Sequence, residues 1–377
     1  MKTAFLYSDR FASFEYGPTH PLKPFRLALT FELIKRYGLF SLPGSSLVEA
    51  EAAKEEELAL FHDRAYLDLL KAANQGKMIP GGGRFGLGPG DNPVFKGVFE
   101  WSALVTGASL QAACLVDSGE AGTAFNIAGG LHHARASSAS GFCYVNDPVV
   151  AIESLLQKGR RVAYVDIDAH HADGVQDAFY KTDRVLTISI HETGMALFPG
   201  TGFVQEMGEG KGEGYSVNIP LPPLSDDELF LFALRETVPG LIEEFRPDIV
   251  VSQLGVDSFV TDPLTHLNYT TNGFCEAVRI IKKISPKWVA LGGGGYDIAN
   301  VARAWTLAWA IMNDIELPDM IPLDFLREYS QYGFRNDRLR DEEYKENGPG
   351  KDRMRADVEK TVRYVREKIL PKVKKGG

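Results

Sequence analysis

The segment Asp166-Ile-Asp168-Ala-His170-His171-Ala-Asp173-Gly174 sets three carboxylates and two imidazoles within eight residues, directly after the apolar run Val162-Ala-Tyr-Val165. Leaving that many charges uncompensated at the end of a buried strand costs several kcal/mol per ion. Residues i and i+2 of an extended chain face the same way, so Asp168 and His170 can converge on one point. A divalent cation there would neutralise the carboxylate and use the imidazole lone pair. Asp257 holds the equivalent place after the run Asp248–Gly255 and is the candidate third ligand. Two aspartates and one histidine leave coordination positions for water and substrate, as in a catalytic rather than a structural metal site. The competing account is an ion-paired core without metal.

Two more segments carry groups of the same kind. His132-His133 follows Gly129-Gly130. Adjacent imidazoles point in different directions and suit proton transfer and polarisation of water, and Asp166 and Asp173, not needed as ligands, are available to fix their tautomers and raise their basicity. The turn Gly292-Gly-Gly-Gly-Tyr296 lacks the Lys-Ser or Lys-Thr of a phosphate cradle, and instead brings a phenol close, a suitable donor to the oxyanion of a tetrahedral intermediate. Other patterns fail on context. Gly81-Gly-Gly83-Arg-Phe-Gly86 opens a loop rather than a helix, His191-Glu192 has Met195 where a zincin needs its second histidine, and no G-x-S-x-G elbow occurs.

The elements that must position these groups are short runs rich in Val, Ile and Tyr, which read as buried parallel strands: 4–7, 122–125, 161–166, 185–190, 248–254 and 287–291. Helical patterns at 148–158, 226–245, 273–284 and 299–312 alternate with them, so the predicted class is α/β, a mainly parallel sheet with helices on both faces. Ligand sites in such sheets form beyond the strands' carboxyl ends, where the groups above lie. Pro80–Pro93, with six glycines and three prolines, and the glycine-rich 199–214 read as surface loops, the first at the rim of the site. The last pattern, 352–373, carries an apolar stripe of Val358, Val362, Val365 and Ile369 that should pack on the body.

Composition bounds the function. Forty-one Lys plus Arg against 50 Asp plus Glu, a net charge of −9, disfavours a general nucleic-acid binder and is compatible with a cationic substrate. The basic stretch Lys372–Lys375 reads as a solvated tail. The apolar run at the N-terminus is too short for a signal peptide, and no stretch approaches the ~18 uncharged apolar residues of a membrane span, so no membrane partner and a cytoplasmic location are expected. Three cysteines, Cys114, Cys143 and Cys275, without a C-x-x-C pair, fit a reducing compartment.

Taken together, His132-His133, the run from Asp166 to Gly174, Gly255-Val-Asp257 and Gly292–Tyr296 resemble the zinc-dependent histone deacetylase family, from about Tyr16 to Trp309, with bacterial acetoin-utilisation deacetylases and deacetylase-like proteins nearest in character. The resemblance implies a single domain over 1–377 with the three-layer arginase-deacetylase fold, a C-terminal helical extension, and hydrolysis of the amide of N-ε-acetyl- or acyl-lysine in proteins. It implies zinc on Asp168, His170 and Asp257, a set hard enough to leave iron(II) open. His132 would pair with Asp166 and His133 with Asp173, Tyr296 would polarise the scissile carbonyl, and His133 would take the proton of the attacking water and later protonate the amine. Gly141, Phe142 and Phe198 match the walls of a narrow channel suited to the lysine stem. Asp91 and Leu264 match rim positions, and Arg26 matches a residue of an inner pocket.

Potassium is implied on backbone oxygens among Asp166, Asp168, His170, Ser189 and Ile190, with a second site near Phe179, Thr182, Val185 and Tyr215. Lys23 matches one basic residue of the inositol phosphate and corepressor surface of animal nuclear members, but Pro263 and Ala299 stand where arginines belong, which argues against that partnership. Acetylpolyamine hydrolysis is the alternative activity, and a non-catalytic acyl-lysine binding module the competing class, against which the retained Tyr296 speaks. A two-manganese ureohydrolase needs more carboxylate ligands than this motif supplies.

Overall fold

The computed structural model of the chain describes residues 2–334, 336–345 and 350–373. Eight strands form one parallel sheet: β1 Thr3–Tyr7, β2 Ser45–Glu49, β3 Thr123–Asn126, β4 Val162–Asp166, β5 Val185–Glu192, β6 Ser216–Leu221, β7 Ile249–Gln253 and β8 Trp288–Leu291. Their spatial order is β2-β1-β3-β8-β7-β4-β5-β6. β3, β4, β7 and β8 are buried along their whole length, as Val- and Ile-rich strands covered on both faces must be. The helix Val98–Ser118 packs with Asp147–Gln157 on one face; Phe25–Arg36, Ile298–Met312, Thr271–Ile284 and Asp227–Phe245 pack in succession on the other. This is the three-layer α/β arrangement expected.

All six expected strands are present, with ends displaced by one or two residues. The two strands not foreseen are the sheet's edges. β2 is half exposed and reads Ser-Ser-Leu-Val-Glu, too polar to stand out as a buried run. β6 contains Asn218 and Pro220, and proline is tolerated there because an edge strand has one side without ladder partners. Val98–Ser118 corrects the expectation that nothing approaches a membrane span: it is the one helix among the described residues long and apolar enough to cross a bilayer. Most of it is buried against the sheet and neighbouring helices.

The C-terminal pattern is a regular helix only over Lys351–Tyr364, continuing as a wider turn, Val365–Ile369, and a tight one, Leu370–Lys372. Its four stripe residues are buried, and it lies on β6 and on Asp227–Phe245, covering an edge that would otherwise be open to pairing. Lys351 bonds Asp226 and Glu228, and Arg366 bonds Glu236. Of the basic tail, Lys372 pairs with Glu213 rather than standing free, while Lys374 and Lys375 lie outside the described residues.

Register explains why the site forms where it does. Asn126 pairs with Leu291, Leu291 with Gln253, Gln253 with Asp166, and Asp166 with Ser189. The four central strands therefore end in one row, and the segments after them, bearing His132-His133, Tyr296, Asp257 and Asp168-His170, open onto the same side of the sheet.

Candidate functional site

One donor atom each from Asp168, His170 and Asp257 lies within 4.8 Å of the other two, and all three residues are buried. His170 Nδ1 is 2.8 Å from Asp257 Oδ2 and 3.2 Å from Asp168 Oδ1. The outer lone pairs of the carboxylates are already used. Asp168 Oδ2 accepts from Gly294 N at 2.7 Å and Gln253 Nε2 at 3.1 Å, and Asp257 Oδ1 accepts from Ala169 N at 2.9 Å. Fixed from outside and converging inside, two hard oxygens and one imidazole nitrogen fit a divalent ion.

Beside them stand two histidine–aspartate pairs. His132 Nδ1 donates to Asp166 Oδ2 at 2.8 Å, and His133 Nδ1 donates to Asp173 Oδ1 at 2.7 Å. Their supports differ: Asp166 also accepts from Tyr164 Oη at 2.6 Å, whereas Asp173 is bridged at 2.6 Å by Arg135. The two Nε2 atoms are 3.0 Å apart. Burial pushes His132 down, but the Asp166 and Asp168 charges outweigh it and raise it to about 9. Burial and the neighbouring positive His132 hold His133 down at about 4 against the pull of Asp173. Burial opposes ionisation of Asp173, yet His133 and Arg135 hold it at about 2. The two imidazoles are thus set to different states.

Tyr296 closes the opposite side, its ring 5.7 Å from and nearly perpendicular to that of Phe142. Burial, then the charges of Asp257 and Asp168, raise the phenol well above its usual range, so it is a neutral donor. A cavity of about 20 Å³ is lined by His132, His133, Phe142, Asp168, His170 and Tyr296 among others. Gly141 is at φ +50°, and a Cβ there would stand 2.5 Å from His133 Cδ2 and 2.9 Å from Phe198 Cε1. Glycine is therefore what lets the Phe198 ring approach His133, at 5.0 Å between centroids.

The remaining expected positions spread outward. Arg26 is buried, its guanidinium donating to Gly295 O at 2.8 Å and Gly293 O at 2.7 Å. Leu264 is half-buried and Asp91 exposed, with Asp91 O 3.1 Å from His20 Nε2. For the potassium positions, Asp166 and Ser189 are register neighbours, Thr182 N donates to Phe179 O at 3.2 Å, and Tyr215 O accepts from Thr187 N beside β5.

Several supports were missed. Asp262 accepts from Tyr296 N at 2.7 Å, and burial with the charge of Asp257 pushes it up to about 8. Asp147 accepts from Gly130 N, Leu131 N and Ser109 Oγ. Asn146 donates to His132 O at 3.0 Å and Ala134 O at 2.9 Å, and its backbone N–H donates to His62 Nε2 at 2.9 Å. Only Asn146-Asp147-Pro148 left a trace in sequence, as a helix N-cap followed by an early proline.

Residues 20–312 match the model of the histone deacetylase domain. The chain is 42% identical over 337 residues to the acetoin utilization protein AcuC of Bacillus subtilis, covering 87% of each. It is 41% identical over 331 residues to human histone deacetylase 1, covering 87% of this chain and 68% of that one. A crystal structure of an HDAC homologue complexed with SAHA superimposes with a TM-score of 0.88 at 36% identity, over 97% of this chain and all of the other. One of an HDAC homologue from Aquifex aeolicus gives 0.87 at the same identity and coverage.

Proposed function

The chain belongs to the histone deacetylase family and is a hydrolase of amide bonds, and from that premise we propose that it removes acetyl or related acyl groups from lysine side chains of proteins, using one divalent ion. The observation that carries this reading is the meeting of the Asp168-His170-Asp257 donors with two differently supported His–Asp pairs and Tyr296 around one cavity.

Asp168, His170 and Asp257 hold the ion, which is zinc or, given the hard donor set, iron(II). When bound it supplies Lewis-acid polarisation of the amide carbonyl and of water. His133, whose Nε2 carries the lone pair, takes the proton of the attacking water and returns one to the leaving amine. His132, held positive by Asp166, steadies the developing negative charge, and Tyr296 donates to the oxyanion. Phe142, Phe198 and Gly141 flank the lysine stem, Asp91 and Leu264 meet the substrate at the rim, and Arg26 lines the inner pocket.

Potassium on backbone oxygens around Asp166, Asp168, His170, Ser189 and Ile190, and around Phe179, Thr182, Val185 and Tyr215, would stiffen the strand ends. We read the chain as one catalytic domain acting in the cytoplasm. Support comes from the single continuous hydrophobic core and from cysteines that form no disulfide.

The test is mass-spectrometric turnover of acyl-lysine peptides and of acetylspermidine by protein reconstituted with zinc or iron(II). Hydrolysis of the peptides is expected; turnover of acetylspermidine alone would transfer the activity to polyamines.

A further inference from the structure

Phe198 is 43% exposed, so burial of its own ring gives it little hold on the place it occupies beside His133. Its position must come from the loop that carries it. That loop joins β5 to β6, and three residues beyond Phe198 it is fastened from several directions. Glu206 Oε1 accepts from Gly202 N and Phe203 N, both at 3.0 Å. Glu206 Oε2 accepts from Gln176 Nε2 at 2.8 Å. His171 Nδ1 is 2.8 Å from Thr201 Oγ1, and His191 Nε2 donates to Gly202 O at 2.9 Å.

The anchor beneath is itself fixed. Gln176 Oε1 accepts from Ser216 Oγ at 2.8 Å, Asn218 Nδ2 at 2.6 Å and His171 Nε2 at 3.2 Å, so its amide cannot turn over without losing all three. Gly202, at φ +86°, leaves no room for a Cβ, which would lie 2.3 Å from His191 Nε2 and 2.6 Å from His171 Cγ. Between anchor and ring, Gly200 N donates to Leu197 O at 3.1 Å, closing the turn that contains Phe198.

We infer that Glu206 and His171 are positioning residues that clamp the segment Thr201–Phe203 to the sheet and thereby hold the Phe198 wall against His133 and Gly141. The inference rests on the reading of Phe198 as a wall of the substrate channel. Neither residue reaches the reacting atoms, and their effect passes through the ring. Glu206→Gln is the informative change because it is isosteric: an amide replacing the carboxylate must either turn its NH2 toward the Gln176 NH2 or withdraw acceptors from Gly202 and Phe203.

The experiment is a double-mutant cycle on acetyl-lysine peptide hydrolysis with Glu206→Gln, Phe198→Ala and the pair, kcat and KM being measured separately and melting temperature alongside. Glu206→Gln should raise KM about fivefold with kcat within about twofold, and should raise KM no further once Phe198 is alanine. An equal KM penalty in both backgrounds, or a loss confined to kcat, overturns the clamp. If Phe198→Ala alone leaves KM unchanged, the wall reading beneath it falls instead. Should Glu206→Gln fail to fold, Thr201→Val removes only the hydroxyl facing His171 and must show the same non-additivity.

Discussion

His62 lies outside the cavity of the site, and its protonation should set part of the fold's acid tolerance. Its Nε2 accepts from Asn146 N at 2.9 Å, and its Nδ1 donates to Ala136 O at 3.2 Å; the second contact survives protonation, but the first needs the Nε2 lone pair of the neutral ring. Asn146 in turn holds the carbonyls of His132 and Ala134. Burial lowers His62 to about 4 from an ordinary 6.5. Because the folded value is the lower one, the unfolded chain takes up the proton first. The contribution is fully present above about pH 6.5 and is lost as pH falls through about 4. The whole shift corresponds to roughly 3 kcal/mol, of which about 2 kcal/mol disappears between pH 7 and pH 5. His62→Gln removes the titration while keeping one donor and one acceptor. In urea unfolding at the two pH values, the native protein should lose about 2 kcal/mol more than the variant. Other buried histidines, such as His171 and His191, are common to both proteins and cancel. Equal losses on acidification would show that His62 is not held neutral by the fold, and the linkage argument would fail.

Three further outcomes are expected. Tyr296→Phe should lower kcat by about a hundred- to a thousandfold with metal content unchanged by elemental analysis; near-normal turnover would remove the phenol from the oxyanion. Asp257→Ala should abolish stoichiometric metal uptake, and chelation of the native protein should lower the melting temperature until zinc or iron(II) is restored, since a ligand at a thousand times its Kd adds about 4 kcal/mol. Full metal content in that variant would break the ligand assignment. Asp147→Ala orphans Gly130 N, Leu131 N and Ser109 Oγ at once. Burial already raises that carboxyl to about 6, which offsets part of the loss, so about 2–4 kcal/mol of destabilisation is expected from chemical denaturation.

How much of this was legible in sequence depended on whether the signal was local. The buried strands announced themselves because a parallel strand covered on both faces must be apolar throughout, as Val162–Val165 and Ile249–Val251 are. β2 and β6 escaped because an edge strand is under no such demand. Asp168 and His170 could be paired from spacing alone, since i and i+2 share a face; Asp257 could be added only by assuming that its strand lay nearby. The register of β4, β7 and β8 supplies that placement. What spacing could not tell was which histidine differs from the other, because the difference lies behind the carboxylates, in Arg135 on Asp173 and Tyr164 on Asp166.

The supports that went unseen share a property that explains their silence: they act on main chain. Asp147 binds the amides of Gly130 and Leu131, Asn146 the carbonyls of His132 and Ala134, and Asp262 the amide of Tyr296; Arg26, which the resemblance did mark, likewise binds the carbonyls of Gly293 and Gly295. Backbone partners leave no side-chain signature at the position they hold, so no motif pairs Asp262 with Tyr296 or Arg26 with a run of glycines. The donors and acceptors are nonetheless ordered. A cation grips the carbonyls of the glycine turn and a carboxyl grips the amide that ends it, each matched to the pole of the peptide dipole it meets. Arg26 accepts incomplete pairing to do so, its buried Nε having no partner among the described residues. A bare four-glycine turn loses more backbone entropy on folding than any other sequence would, and the hydrogen bonds from Arg26 to its carbonyls and from the Tyr296 amide to Asp262 hold the turn that carries the phenol.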